Sequence, residues 1–162
     1  MNHLNSMNTD LRVKVSGIPN RINNEIANLF NQSDFVSSER KSKSIIITVI
    51  KKKNKYQIEL PNDYPFKPPK NIVYNENNYK QSISNCPNKI QKILKTKYYI
   101  NCLCCDTIIS GSNWVPAMNT SYIINEIDKF SKIKKEIKII LLCNEIRDKF
   151  NCCFAEFEKY LF

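Results

Sequence analysis

Residues 63–70 read DYPFKPPK, and three prolines within eight residues decide what this segment can be. Each proline fixes φ near about −65° and removes a backbone donor, which excludes a helix interior and a central strand. The segment is therefore an ordered, rigid loop, and its neighbours are read outward from it. Upstream, residues 44–50 (SIIITVI) are β-branched and apolar, and residues 55–60 (KYQIEL) alternate Tyr56, Ile58 and Leu60 with polar positions. The lysine-rich link between them, Lys51, Lys52 and Lys53, suits a hairpin. Downstream, residues 71–75 (NIVYN) supply a further strand, so the segments around the loop form an antiparallel up-and-down meander.

Helical periodicity flanks this sheet. In residues 21–30, Ile22, Ile26, Leu29 and Phe30 share one stripe, with Asn20 as N-cap. Residues 88–97 carry Ile90, Ile93 and Leu94 at helical spacing, although the strand-favouring Tyr98, Tyr99 and Ile100 follow at once. Residues 120–130 place Ile123, Ile124, Ile127 and Phe130 on one face, capped by Asn119 or Thr120. A second helix is expected from Lys132 onward through Ile137, Ile140, Leu141 and Ile146, and Cys153, Phe154, Phe157 and Leu161 mark a third. The fold class is α+β, with an N-terminal helix, a β-meander and C-terminal helices. There is no internal repeat or low-complexity linker. A chain of 162 residues, 42% of them hydrophobic, supports one domain and one core, here residues 20–162 behind a tail and lead-in at 1–19.

Composition bounds the function. With only two glycines and abundant Asn, Lys and Ile, the chain carries the bias of an AT-rich genome, such as that of a parasite or a large DNA virus. The net charge of +10 is spread over strand tips (Lys51, Lys52, Lys53) and a helix (Lys132, Lys134, Lys135), which is the pattern of solvated faces. Aromatic and basic residues do not interleave as an RNA-stacking surface requires, so nucleic acid is not an expected partner. The polar start, MNHLNSMNTDLRVKV, lacks the apolar centre of a signal peptide, and the longest apolar run, residues 139–143, is too short to cross a bilayer. A cytoplasmic protein without membrane association is expected. In a reducing compartment seven cysteines, an odd number, point to free thiols, a metal site or catalysis rather than a disulfide framework.

Residues 102–117 read CLCCDTIISGSNWVPA, three thiols within four residues and then Trp114, Val115, Pro116 and Ala117. The order helix, meander, proline-rich loop, cysteine segment, Trp-x-Pro turn and helix resembles the ubiquitin-conjugating (E2) family over roughly residues 20–150. Two motifs carry the resemblance: Tyr64, Pro65, Phe66, Lys67, Pro68 and Pro69 match the family's Tyr-Pro-Phe-x-Pro-Pro, and Trp114 to Ala117 match its Trp-Ser-Pro-Ala turn. The resemblance implies a UBC-like fold with a four-stranded antiparallel meander and the proline loop packed near the tryptophan turn. It implies a transferase that needs no cofactor, takes ubiquitin or a ubiquitin-like modifier from an E1 activating enzyme as a cysteine thioester, and passes it to a ligase or a substrate lysine. It also implies that Phe66, Pro116 and Ala117 form one exposed patch, since RING-type ligases grip E2s through apolar residues of these two loops.

Such chemistry needs one accessible, mildly activated thiol and no histidine dyad; the only histidine is His3, in the tail. Cys105 has Ile108 and Ile109 at the family's apolar positions and Trp114 nine residues on, one more than the family spacing. Cys102 has the matching Leu103 beside it but a longer interval to Trp114, and Cys104 has Asp106 at the acidic position. Cys105 is the favoured nucleophile and Cys102 the next, and the thiols not used should point inward as packing residues. The family's His-Pro-Asn, whose asparagine stabilises an oxyanion, is absent from its usual distance; its nearest echo is Cys86-Pro87-Asn88, with Asn88 as the candidate. The glycine before the nucleophile and the acidic loop after the following helix are missing too. Two other readings stay open. A variant without thioester chemistry would be a ubiquitin- or E2-binding module. Cys102-x-x-Cys105 also has the spacing of half a zinc knuckle, with Cys86, Cys143, Cys152 and Cys153 as possible further ligands, but there is no second such pair, and no metal is expected.

Overall fold

The computed structural model describes residues 17–84 and 86–150. Helix α1 (Asn20–Phe30) precedes five strands, β1 (Phe35–Lys41), β2 (Ser44–Lys51), β3 (Asn54–Pro61), β4 (Asn71–Tyr74) and β5 (Asn77–Asn78). Helices α2 (Tyr79–Ser84), α3 (Asn88–Tyr98), α4 (Leu103–Asp106) and α5 (Thr120–Phe150) follow. The strands form one antiparallel sheet in the order β1-β2-β3-β4-β5, so the α+β meander is present with five strands rather than four. The expected third C-terminal helix on Cys153, Phe154, Phe157 and Leu161, and nearly all of the tail, lie outside the described residues. Among the described residues no helix is long and apolar enough to cross a membrane.

Alternation drives the sheet. Ile45, Ile47 and Val49 of β2 stand opposite Leu60, Ile58 and Tyr56 of β3, and Ile58 stands opposite Ile72 of β4. All of these side chains are buried on one face. That face packs with Ile22, Ile26 and Leu29 of α1 and with Ile123, Ile124 and Ile127 of α5 into a single core. Strand β1 escapes the sequence pattern because FVSSERK buries only Val36, as an edge strand can. The short β5 is equally silent.

With glycine scarce, other residues take the left-handed backbone positions. Lys52 (φ 49°) and Lys53 (φ 69°) form the β2–β3 turn, and Asn75 (φ 45°) and Glu76 (φ 69°) form the β4–β5 turn. Both are two-residue hairpin loops of the kind that needs positive φ at both central residues. Tyr99 (φ 56°) likewise ends α3, and the Ile100 N–H donates to Leu94 O at 3.1 Å, so the strand-favouring residues after α3 form a cap and not a strand.

Three helix expectations need correction. Asn20 is the first residue of α1 rather than its cap; Pro19 holds the cap position, and the Asn23 amide donates to Ile18 O at 3.1 Å. Phe30 is exposed, and Glu25 occupies the buried stripe in its place. The helices expected at 120–130 and from Lys132 are one continuous helix, α5. At its start the Tyr122 N–H donates to Asn119 Oδ1 at 3.1 Å, so Asn119 is the cap.

Candidate functional site

The proline loop and the tryptophan turn meet. The peptide between Tyr64 and Pro65 is cis, which turns the chain sharply at the loop entry. Pro65 O then accepts a hydrogen bond of 2.7 Å from Trp114 Nε1, and the rings of Tyr64 and Trp114 lie 5.9 Å apart. Glu25, in the α1 stripe, reinforces the junction. Its carboxylate accepts from Tyr64 OH at 2.8 Å, from Thr120 N at 3.0 Å, from Thr120 Oγ1 at 3.1 Å and from Arg21 Nε at 3.1 Å. Burial and the Glu25 charge push the Tyr64 hydroxyl well above its usual range, so it stays a donor. While Trp114 is only 7% exposed, Phe66 is 79% exposed, and Val115, Pro116 and Ala117 are exposed on the adjoining turn.

The cysteine segment is held from two sides. Ile109 is buried and Ile108 packs against the same core, as the spacing from Cys105 suggests. Glu126 of α5 accepts from Ile108 N at 2.7 Å and from the Thr107 hydroxyl, and Asn113 Nδ2 donates to Cys105 O at 2.6 Å and to Thr107 O at 3.0 Å. Asp106 Oδ2 accepts from the N–H groups of Asn101 (3.1 Å) and Cys102 (3.3 Å), which closes the segment on itself. A surface helix of four residues, too short to be stable alone, is thus ordered by its attachments.

On this platform the thiols lie together. Cys102 Sγ is 2.7 Å from Cys104 Sγ, which is 3.7 Å from Cys105 Sγ. Two of them do not turn inward as packing residues: Cys104 and Cys105 are exposed, and Cys102 is half-buried. The geometry divides the acidities of Cys102 and Cys105. Hydrogen bonds from Cys104 and then from Cys105 stabilise the Cys102 thiolate and lower its pKa to about 7, whereas Cys105, facing Cys102 and Cys104, is pushed up to about 11.

Cys86 and Pro87 come to the same region. Cys86 and Leu103 both pack against the second core cluster of Leu94, Ile133 and Ile137, and both line a cavity of about 200 Å³ between α2, α3 and α5. Burial, followed by the charge of Cys102, pushes the Cys86 thiol up. Asn88 opens α3 two residues further on and is exposed. Glu25 and Glu126 escape a reading of the sequence for chemistry. Their only signal is an acid among the apolar residues of a helical stripe, Ile22/Ile26 for Glu25 and Ile123/Ile127 for Glu126. The chain matches no protein-family model, no curated protein and no solved structure.

Proposed function

We propose that this chain is an E2-like transferase with a UBC-like fold, which carries ubiquitin or a ubiquitin-like modifier as a thioester on the cysteine segment. The observation that carries the reading is the 2.7 Å hydrogen bond from Trp114 Nε1 to Pro65 O, which joins the two motif loops directly after a platform of accessible thiols. A loading step consistent with this layout is attack of a thiolate on the carbonyl of the modifier–E1 thioester, with the E1 thiolate leaving. Discharge follows when a lysine amine attacks the new thioester and the carrier sulfur leaves in turn.

Among the three thiols we favour Cys102 over Cys105, the first candidate of the sequence, on the acidity of the sulfur. An attacking thiol works best with a pKa near the ambient pH, and Cys102 lies at about 7 against about 11 for Cys105. Asn88 is the counterpart of the oxyanion-stabilising asparagine in this reading. Phe66, Pro116 and Ala117 present the ligase-facing patch, because a rigid, exposed aromatic is an inexpensive anchor for a RING-type partner to bury.

Incubation of the metal-free protein with ubiquitin, an activating enzyme and ATP, read by intact mass, tests the proposal. Wild type should gain a thiol-sensitive adduct, Cys102→Ser a thiol-resistant but alkali-sensitive ester, and Cys105→Ser should behave as wild type. Loss of the labile adduct in Cys105→Ser alone would move the nucleophile there. No adduct on wild type with any modifier would leave the chain as a binding module of the same architecture.

A further inference from the structure

A carrier needs one thiol, yet the cysteine segment presents three, two of them exposed. Exposed cysteines contribute little to packing, so thioester chemistry leaves two thiols without a use. Their arrangement suggests one. All three sulfurs lie within 4.8 Å of one another. Two thiolates on a tetrahedral zinc ion, with Zn–S of about 2.3 Å, stand roughly 3.8 Å apart. The Cys104–Cys105 separation of 3.7 Å already has that value. The Cys102–Cys104 separation of 2.7 Å is about 1 Å shorter than that, so metal binding requires these two sulfurs to move apart.

A fourth thiol, outside this 4.8 Å group, comes from a different element. Cys86, in the loop before α3, shares the cavity wall with Leu103, the residue between Cys102 and Cys104. The backbone beneath the cluster is already held by Asp106, Asn113 and Glu126. Donor type and pre-ordering both suit a closed thiolate site.

We propose that Cys102, Cys104 and Cys105, with Cys86 as the fourth donor, form a thiolate site for a zinc ion. Soft thiolate sulfur selects zinc over hard cations. Each coordinating thiol releases its proton to solvent on binding, and the ion ties the loop before α3 to α4. The site does not depend on the carrier reading. A bound ion occupies the sulfurs that a thioester needs, so the metal-bound and modifier-loaded forms exclude one another.

The test uses the full chain, reduced with a phosphine and stripped of metal, titrated with Co²⁺ and then with Zn²⁺. One equivalent of Co²⁺ should bind with tetrahedral d–d bands and a sulfur-to-cobalt charge-transfer band, and one equivalent of Zn²⁺ should displace it. Cys102→Ser, Cys104→Ser and Cys105→Ser should each lose stoichiometric binding, Cys86→Ser should lose one thiolate's share of the charge-transfer intensity, and Cys143→Ser, outside the cluster, should match wild type. Because Cys104 and Cys105 are exposed, their variants keep the wild-type circular dichroism, which separates loss of ligands from loss of fold. Sub-stoichiometric uptake, full binding by Cys104→Ser and Cys105→Ser, or an unchanged charge-transfer band in Cys86→Ser would overturn the assignment. So would a reduction-resistant Cys102–Cys104 disulfide, seen as a loss of two hydrogens in the peptide mass without metal uptake. Thioester formation on the stripped protein answers separately: an adduct without cobalt binding removes the metal site alone, and cobalt binding without an adduct removes the carrier alone.

Discussion

Within one four-residue segment Cys102 and Cys105 titrate unlike one another because their sulfurs lie in one hydrogen-bonded cluster with Cys104. Hydrogen bonding to Cys104 stabilises the Cys102 thiolate and its pKa falls to about 7, while Cys105 faces its neighbours' sulfurs and rises to about 11. Alkylation follows the thiolate. On metal-free protein, iodoacetamide should label Cys102 with a half-maximal rate near pH 7, slowly below that as the thiol reprotonates, and should reach Cys105 only in strongly alkaline buffer. Replacing Cys104 by Ala removes the largest stabilising hydrogen bond, so the Cys102 midpoint should climb toward the ordinary thiol value of 9.0. Peptide mapping across this pH range provides the check, and parallel labelling of Cys102 and Cys105 would contradict the arrangement.

At the scale of elements, α5 differs most from expectation. Its apolar face runs on through Ile127, Phe130, Ile133 and Ile137, of which Ile133 and Ile137 pack on Leu94 of α3. Neither glycine nor proline occurs after Ala117, so the polar step at Ser131 and Lys132 carries no signal able to stop a helix. Ser131→Pro should therefore cost about 3 kcal/mol or more, since it removes a mid-helix hydrogen bond and strikes the preceding turn. Ser131→Ala loses only the 3.2 Å contact with Tyr74 OH and should cost about 1 kcal/mol or less. Chemical denaturation of the two variants decides the point: a proline tolerated at residue 131 would mean two helices with a joint.

Across the whole molecule, Glu25 joins what the chain separates. One carboxylate, 7% exposed, receives hydrogen bonds from the proline loop through Tyr64, from the start of α5 through Thr120 and from its own helix through Arg21. Removing it leaves the Tyr64 hydroxyl and both Thr120 donors buried without their acceptor. Loss of one side of a buried charged cluster typically costs about 3–5 kcal/mol. Glu25→Ala should thus lower the urea midpoint by an amount equivalent to about 3 kcal/mol or more with an unchanged slope. Glu25→Gln keeps one acceptor oxygen and should lose less. A Glu25→Ala protein as stable as wild type would show that the junction of the two loops is held elsewhere, by Trp114 and Pro65 alone.

Local backbone chemistry was legible in the residues themselves. A β-branched apolar run marks β2, alternation marks β3, the 3.6-residue stripe marks α1 and α3, and three prolines mark a loop, because each signal arises from sterics or burial within a few neighbouring residues. The segments of Cys102 and Trp114 could also be singled out by composition. What lay beyond reach depends on contacts across the chain. An edge strand such as β1 shows no pattern because only one of its residues is buried. The exposure of Cys104 and Cys105, the approach of Cys86 to Cys102 and the hold of Glu126 on Ile108 follow from how α3 packs on α5 and α5 on the sheet. Glu25 reaches Thr120 across 95 residues of chain. Such meetings are decided by which apolar surfaces cover one another, a property of the folded whole that no short window of sequence contains.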